Sequence, residues 1–440
     1  MDVKRQDSKT WIDRWEPENE TFWESEGKAI AWKTTWITTA NLVMAFVVWF
    51  VVSALVVRLD DIGFDYSTTQ LFWLAAMPGL AGGTLRIVHT FLIPIYGTRH
   101  VVAISSLLLL IPLLGWFFAV QNEGTPYWLF MVLGIAAGLG GGNFSSFMPS
   151  TSLFFPKRLQ GTALGVQAGI GNFGVSLVQF ITPWIIGIAL VGSTQVDTDG
   201  ETLHLQNAVF IWMPLVLLLA LLAWWQLRSV PVHANVREQL DIFREKHTWT
   251  MTSLYIMTFG SFAGFSAVFP LLIKELYGDF DNAPDPLSWA FLGPLVGSLA
   301  RVAAGPISDK YGGARVTQIS AIGLIGSAIG VSFFVTPSST DGFGWFVVFM
   351  LGLFLFSGIG NASTFKQMPM IFPPRQASGV LGWTAAMAAY GPFIFAVLVA
   401  AVISAAGDPI PFFIGAAIFY VVNLGINWWF YARPGAEKPC

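Results

Sequence analysis

Two arginines, Arg86 and Arg301, stand in long apolar stretches of a 440-residue sequence that is 54% hydrophobic and only 11% charged. A charge at the centre of a membrane-length helix costs about 2.5–3.5 kcal/mol on insertion scales, so such a residue is expected to have a function. Guanidinium offers a planar fork of donors and keeps its proton throughout the accessible pH range. It therefore matches a planar oxyanion with two parallel hydrogen bonds. All 26 carboxylates are expected in loops or tails, away from these stretches. Two cations without a counter-ion in the chain call for an anion from outside. The other ionisable groups inside the stretches are His89, three residues after Arg86 on the same helical face, and Lys366. Histidine changes charge near neutral pH, and burial lowers the pKa of a lysine, so both are candidates for coupling a proton to anion entry. The structural alternatives are an interhelical hydrogen bond for His89 and a snorkelling side chain for Lys366.

The elements that must hold these residues follow from hydropathy. A mean hydropathy of +0.62 and apolar runs of about twenty residues, enough to cross a ~30 Å hydrocarbon core, describe a polytopic membrane protein. Twelve spans are expected near 34–58, 68–95, 100–120, 127–155, 160–192, 205–228, 249–277, 287–310, 314–336, 343–372, 376–406 and 409–432. Even-numbered connections carry Arg99, Lys157, Arg158, Arg228, Arg237, Arg244, Lys246, Lys310, Arg315 and Arg375. The odd-numbered ones are acidic, with only Arg58 and Lys274 as cations. This positive-inside pattern predicts a bacterial inner-membrane protein with both termini cytoplasmic. The expected organisation is a tail over 1–33, a six-helix bundle over 34–228, a linker over 229–248, a second bundle over 249–432 and a tail over 433–440. Lipid is the solvent. One cysteine, a net charge of −3 and the absence of a Cys/His ligand cluster predict no disulfide, no nucleic-acid partner, no metal and no cofactor.

The two bundles repeat each other. Arg86 precedes Tyr96-Gly97 by ten residues and Val101 by fifteen, as Arg301 precedes Tyr311-Gly312 and Val316. Asn143 and Asn361, each after a glycine, form a second matched pair. Twelve helices in two parallel repeats predict an all-α major facilitator fold with its site near the midplane between halves. The run Gly305 to Arg315, containing Asp309, resembles the superfamily's loop signature and is expected to latch helices by charge. Gly134, Gly138 and Gly142, and Gly161, Gly165 and Gly169, recur every four residues, the spacing that lets membrane helices pack closely.

Longer motifs carry a closer resemblance. Gly140-Gly141-Gly142-Asn143-Phe144-Ser145-Ser146, then Phe155-Pro156-Lys157, Gln160-Gly161-Thr162 and Gly169-Ile170-Gly171-Asn172-Phe173-Gly174, resemble the nitrate signature of the NarK-type nitrate/nitrite porters. Gly358-Ile359-Gly360-Asn361-Ala362-Ser363-Thr364-Phe365 is similar to that family's second signature. The resemblance implies a secondary transporter of nitrate and nitrite, not an enzyme, working by alternating access as a monomer. It implies that Arg86 and Arg301 bind the anion, that Phe144 and Phe259 clamp its faces, and that Tyr255 and Asn172 are polar ligands. Asn143 and Asn361 are expected to bond backbone or neighbouring helices. Two couplings fit the sequence: obligatory exchange, because two bare charges resist closure, and proton symport through His89 or Lys366. An anion channel and a carrier of another small anion are the alternative functions.

Overall fold

The structure, a computed structural model, describes residues 10–197, 200–231 and 241–440. Asp199, Arg237 and parts of the expected N-terminal tail and linker lie outside the described residues. Among these residues twelve helices are long and apolar enough to cross a membrane. They are α1 Glu20–Arg58, α2 Thr68–His89, α3 Leu92–Ala119, α4 Tyr127–Ser152, α5 Lys157–Ile185, α6 Asn207–Gln226, α7 Lys246–Tyr277, α8 Pro286–Tyr311, α9 Gly313–Ser332, α10 Thr340–Ile371, α11 Gly379–Ala406 and α12 Ile410–Ala432. A two-residue antiparallel hairpin, β1 Gln195–Val196 and β2 Thr202–Leu203, lies between α5 and α6. The chain has the major facilitator fold, two six-helix bundles built from α1–α6 and α7–α12.

Punctuation residues set the boundaries. Ser67 and Gln70 form a capping box at the start of α2, each accepting from the other's backbone N–H. Prolines 126, 156 and 373 precede helix starts in extended conformation. Gly97 and Gly312, 215 positions apart like the two arginines, adopt φ of 75° and 91° with extended ψ. Only glycine adopts this conformation without strain; it kinks the chain near the start of α3 at Gly97 and turns it between α8 and α9 at Gly312.

The first helix begins earlier than the apolar run suggests, inside the expected tail. The Asn19 side chain accepts from the Thr21 and Phe22 amides and starts a helix at Glu20. Glu20, Glu24 and Lys28 face water, while Trp23 and Ala31 pack with Ile12, Phe154, Phe155 and Ala163 in a small core of their own. An amphipathic turn of this kind lowers average hydropathy without breaking the helix. Glu275 and Asp309 correct a second expectation: both carboxylates lie inside helices, near the ends of α7 and α8.

The halves meet where α2 packs on α11 and α8 on α5, a pseudo-twofold exchange of equivalent helices. Within halves, glycine permits contact at backbone distance. A Cβ on Gly138 would lie 2.4 Å from that of Ala81, and one on Gly358 would lie 2.1 Å from the Gly297 carbonyl oxygen. Gly358→Ala must separate α8 from α10, with an expected cost of about 2 kcal/mol or more. Thermal unfolding of detergent-solubilised protein measures it. Gly425→Ala, with open space around it, is the control and is expected to be neutral or slightly stabilising.

Candidate anion-binding site

Arg86 is fully buried in α2, yet the protein satisfies only part of its fork. Nε donates to Gly141 O in α4 at 2.9 Å, and Nη1 donates to Ala385 O in α11 at 2.8 Å. The second of these bonds crosses between halves. Nη2 has no partner. The guanidinium carbon lies 4.5 Å from the centre of the Phe144 ring, 5.0 Å from Phe259 and 5.1 Å from Trp49. Each ring presents a negative face to the cation.

A ladder of aromatic rings leads from Arg86 to Arg301. Phe144 stacks on Phe259 at 6.1 Å, Phe259 stacks on Tyr255 at 5.6 Å and 10°, and Tyr255 meets Phe365 at 5.9 Å. Arg301 lies over Phe365 at 5.8 Å. Phe259 belongs to a π-helical turn, Ile256–Gly260, that widens α7 beside the site. Asn172 reaches across from α5. With its amide nitrogen donating to Ala168 O, its oxygen accepts from Arg301 Nη1 at 3.2 Å. The Tyr255 hydroxyl is fully buried and unpartnered.

Arg86 Nη2 and the Tyr255 hydroxyl are therefore buried donors without an acceptor, and each costs about 1–3 kcal/mol in that state. No carboxylate among the described residues pairs with either arginine; the charged and phenolic groups within electrostatic reach of Arg86 are Arg301 and Tyr255. What completes such a site is a small group rich in acceptors and carrying negative charge.

Phe144 and Phe259 lie closer together than expected for opposed faces on a bound anion. Their 6.1 Å separation is below the ~7 Å needed to sandwich a planar group, and in this conformation both rings rest on Arg86. His89 ends α2, where its Nδ1 lies 3.0 Å from Ser146 Oγ in α4, the interhelical bond left open by the sequence. Lys366 stands apart from the arginines. It is half-exposed and ion-paired with Asp309, so α8 and α10 are latched by charge within one half. Asn143 donates to Ser105 O at 3.5 Å, while Asn361 has no partner for either amide atom, contrary to expectation. Trp49 and the Ala385 carbonyl had no sequence signal of their own: one is a tryptophan among nineteen, the other a backbone group.

The cross-half hydrogen bonds are gathered from the midplane toward one end. The Thr84 and Tyr390 hydroxyls lie 2.8 Å apart, Ser176 donates to Phe291 O at 2.9 Å, and Gln179 donates to Ser266 O at 2.9 Å. At the end away from the termini, Arg58 pairs with Asp285, Lys274 with Asp60 and the Val57 carbonyl, and Thr68 donates to Glu275 at 2.6 Å. Asp61 lies beneath this cluster, its carboxyl raised above its ordinary range by burial against the opposing pull of Lys274 and Arg58. Toward the termini end Gly382 of α11 still packs on Thr90 after α2, while α5 and α8 part. Gly169 still meets Val302 across the interface, but Gly161, Gly165 and Gly305 face open space. The close packing expected of Gly161 and Gly165 is therefore not made in this conformation.

A family model described as the Major Facilitator Superfamily matches residues 37–365. The chain is 66% identical over 439 residues to a Thermus thermophilus protein named probable nitrate/nitrite antiporter NarK2, covering 98% of each. It is 38% identical to a Salmonella typhimurium protein named nitrate/nitrite transporter NarU, covering 95% of this chain and 96% of that one. Among solved structures, the E. coli xylose transporter XylE in an inward open conformation superposes with a TM-score of 0.67 at 14% identity, covering 90% of this chain and 96% of that chain. That last likeness carries the fold alone.

Proposed function

Since the chain belongs to the NarK-type nitrate/nitrite porter family of the major facilitator superfamily, we propose that it carries nitrate and nitrite across the bacterial inner membrane by alternating access, binding the anion between Arg86 and Arg301. The observation that carries this reading is the pair of unmatched buried donors, Arg86 Nη2 and the Tyr255 hydroxyl, with Arg301 within electrostatic reach and no carboxylate among the described residues paired with either arginine. A trigonal or bent oxyanion supplies several acceptors within a small volume and one negative charge, which offsets the mutual repulsion of the guanidinia. Asn172 orients Arg301 from the opposite half. One chain supplies every group, which supports a monomeric carrier.

With the termini cytoplasmic, the end closed by Arg58, Lys274 and Thr68 is periplasmic, and the conformation faces inward. The bodies that rock are α1–α6 and α7–α12, joined by the linker. Obligatory exchange is the favoured coupling. Lys366 is engaged with Asp309 outside the site and His89 with Ser146 inside one half, so neither stands ready to neutralise an empty pair of arginines.

Nitrate counterflow in proteoliposomes tests the reading. Uptake of labelled nitrate is expected only into vesicles preloaded with nitrate or nitrite. Equal uptake into anion-free vesicles under an imposed pH gradient would replace exchange by proton symport. No uptake under either condition would remove nitrate as the substrate.

A further inference from the structure

The two arginines are matched in sequence but not in surroundings, and the difference centres on Trp49. Arg301 meets one ring, at 5.8 Å. Arg86 meets three within 5.1 Å, and Trp49 is the one that lies outside the ladder leading to Arg301. Trp49 is 1% exposed, and its indole N–H donates to Pro78 O at 2.8 Å, fixing the ring against α2 two turns before Arg86. Glycines on α2, which carries Arg86, and on α4, which accepts from its Nε, make room for it. A Cβ on Gly82 in α2, or on Gly141 in α4, would lie 2.7 Å from the indole. Gly141 is also the residue whose carbonyl accepts from Arg86 Nε. The repeat-related glycine in α8, Gly297, opens instead onto Phe262, which has no hydrogen-bonding handle and is not among the rings that face either guanidinium.

We propose that Trp49 is a positioning residue for anion binding: it wedges α2 against α4 and backs the Arg86 guanidinium, so that Arg86 is a fixed anchor while Arg301 is the adjustable member of the pair. The inference rests on the reading of Arg86 as an anion ligand. The indole face substitutes in part for the missing counter-ion, which keeps the fork in place before the anion arrives. Preorganisation of this kind lowers the cost of binding and therefore acts on KM. Loss of a desolvated cation–π contact corresponds to roughly 10- to 30-fold in affinity.

The test is nitrate exchange by purified protein in proteoliposomes, with KM and maximal rate measured separately. Trp49→Met fills the space without a π face and is expected to raise KM about 10- to 30-fold, with maximal rate within about threefold. Trp49→Phe, which restores a ring, is expected to recover most of that loss. Gly82→Ala, which displaces the indole without removing it, gives an independent variant with a KM shift in the same direction. Trp116→Met is the control. Trp116 is equally buried, in α3 against Phe130, and is expected to lower stability while leaving KM unchanged. An unchanged KM in Trp49→Met or in folded Gly82→Ala overturns the proposal, as does an equal shift in Trp116→Met. Wild-type protein without nitrate exchange would overturn the reading beneath it, an outcome distinct from a working carrier whose KM ignores Trp49.

Discussion

Lysine in place of Arg86 is expected to lower nitrate exchange by about a hundredfold or more. The arginine makes two charge-assisted bonds to carbonyls in different helices, Gly141 O and Ala385 O, while Nη2 is left without a partner. An ammonium is a point charge with three donors and no plane, so it cannot span these acceptors and still face the ligand. Each bond to a charged group is worth about 1.5–3 kcal/mol, and losing two accounts for the predicted factor. The flat stacking on Phe144 and Phe259 is lost as well. Arg301→Lys is expected to be milder, because Arg301 has one bond, to Asn172, and one distant ring. Initial rates of counterflow, normalised to folded protein by size exclusion, measure both. An Arg86→Lys carrier working above a tenth of the wild-type rate would sink the assignment.

The second large effect concerns the far-end cluster. Removing Arg58 and Lys274 together, as Arg58→Ala with Lys274→Ala, is expected to shift the resting population away from the present conformation, closed at the far end, by about 5- to 30-fold. The estimate takes about 0.5–1 kcal/mol for each partly exposed pair, discounted for solvent screening. The readout is thiol labelling of Gly165→Cys in a background carrying Cys440→Ser. Residue 165 faces open space in this conformation, on the α5 face that parts from α8, so labelling there reports whether that gap is open. Labelling is expected to slow in the double variant, and to slow less when Arg58→Ala is combined with an exchanged pair, Lys274→Asp with Asp60→Lys, which keeps that ion pair. Labelling that stays at the wild-type rate would mean that the cluster does not hold the conformation. Acidification acts in the same assay. Asp61 has a carboxyl raised by burial in the closed cluster, so closing takes up a proton there. Through Asp61, the closed end gains stability as pH falls through that raised value toward the ordinary carboxylate range and loses it as pH rises back through it.

How much of this was legible beforehand differs by residue. The twelve spans follow from apolar length alone, because lipid demands it of any helix. The first helix start was hidden because Glu20 and Glu24 lower hydropathy on one face while Trp23 packs on the other. Arg86 and Arg301 were visible as isolated charges, and the repeat related them. Their unequal surroundings were not visible. The carbonyl of Ala385 belongs to no residue type, and the indole of Trp49 gains meaning only from glycines on two other helices. Lys366 was an intramembrane charge by sequence position, but its long side chain reaches an ion pair with Asp309 on the neighbouring helix α8, where both side chains are partly exposed. The far-end cluster joins residues more than two hundred positions apart, such as Arg58 and Asp285, whose charges by sequence spoke only to orientation.

The distribution of the cross-half contacts has a mechanical consequence. They lie in a series from Arg86–Ala385 through Thr84–Tyr390 and Gln179–Ser266 to Arg58–Asp285, and the halves part at the opposite edge. A joint arranged this way is loaded in peel when one body tilts, as adhesive tape lifts from an edge, and not in shear, where every bond must yield together. Its resistance at any instant is set by the contact at the moving front and not by the sum. A carrier joined by many bonds can therefore turn over at a rate governed by only a few of them.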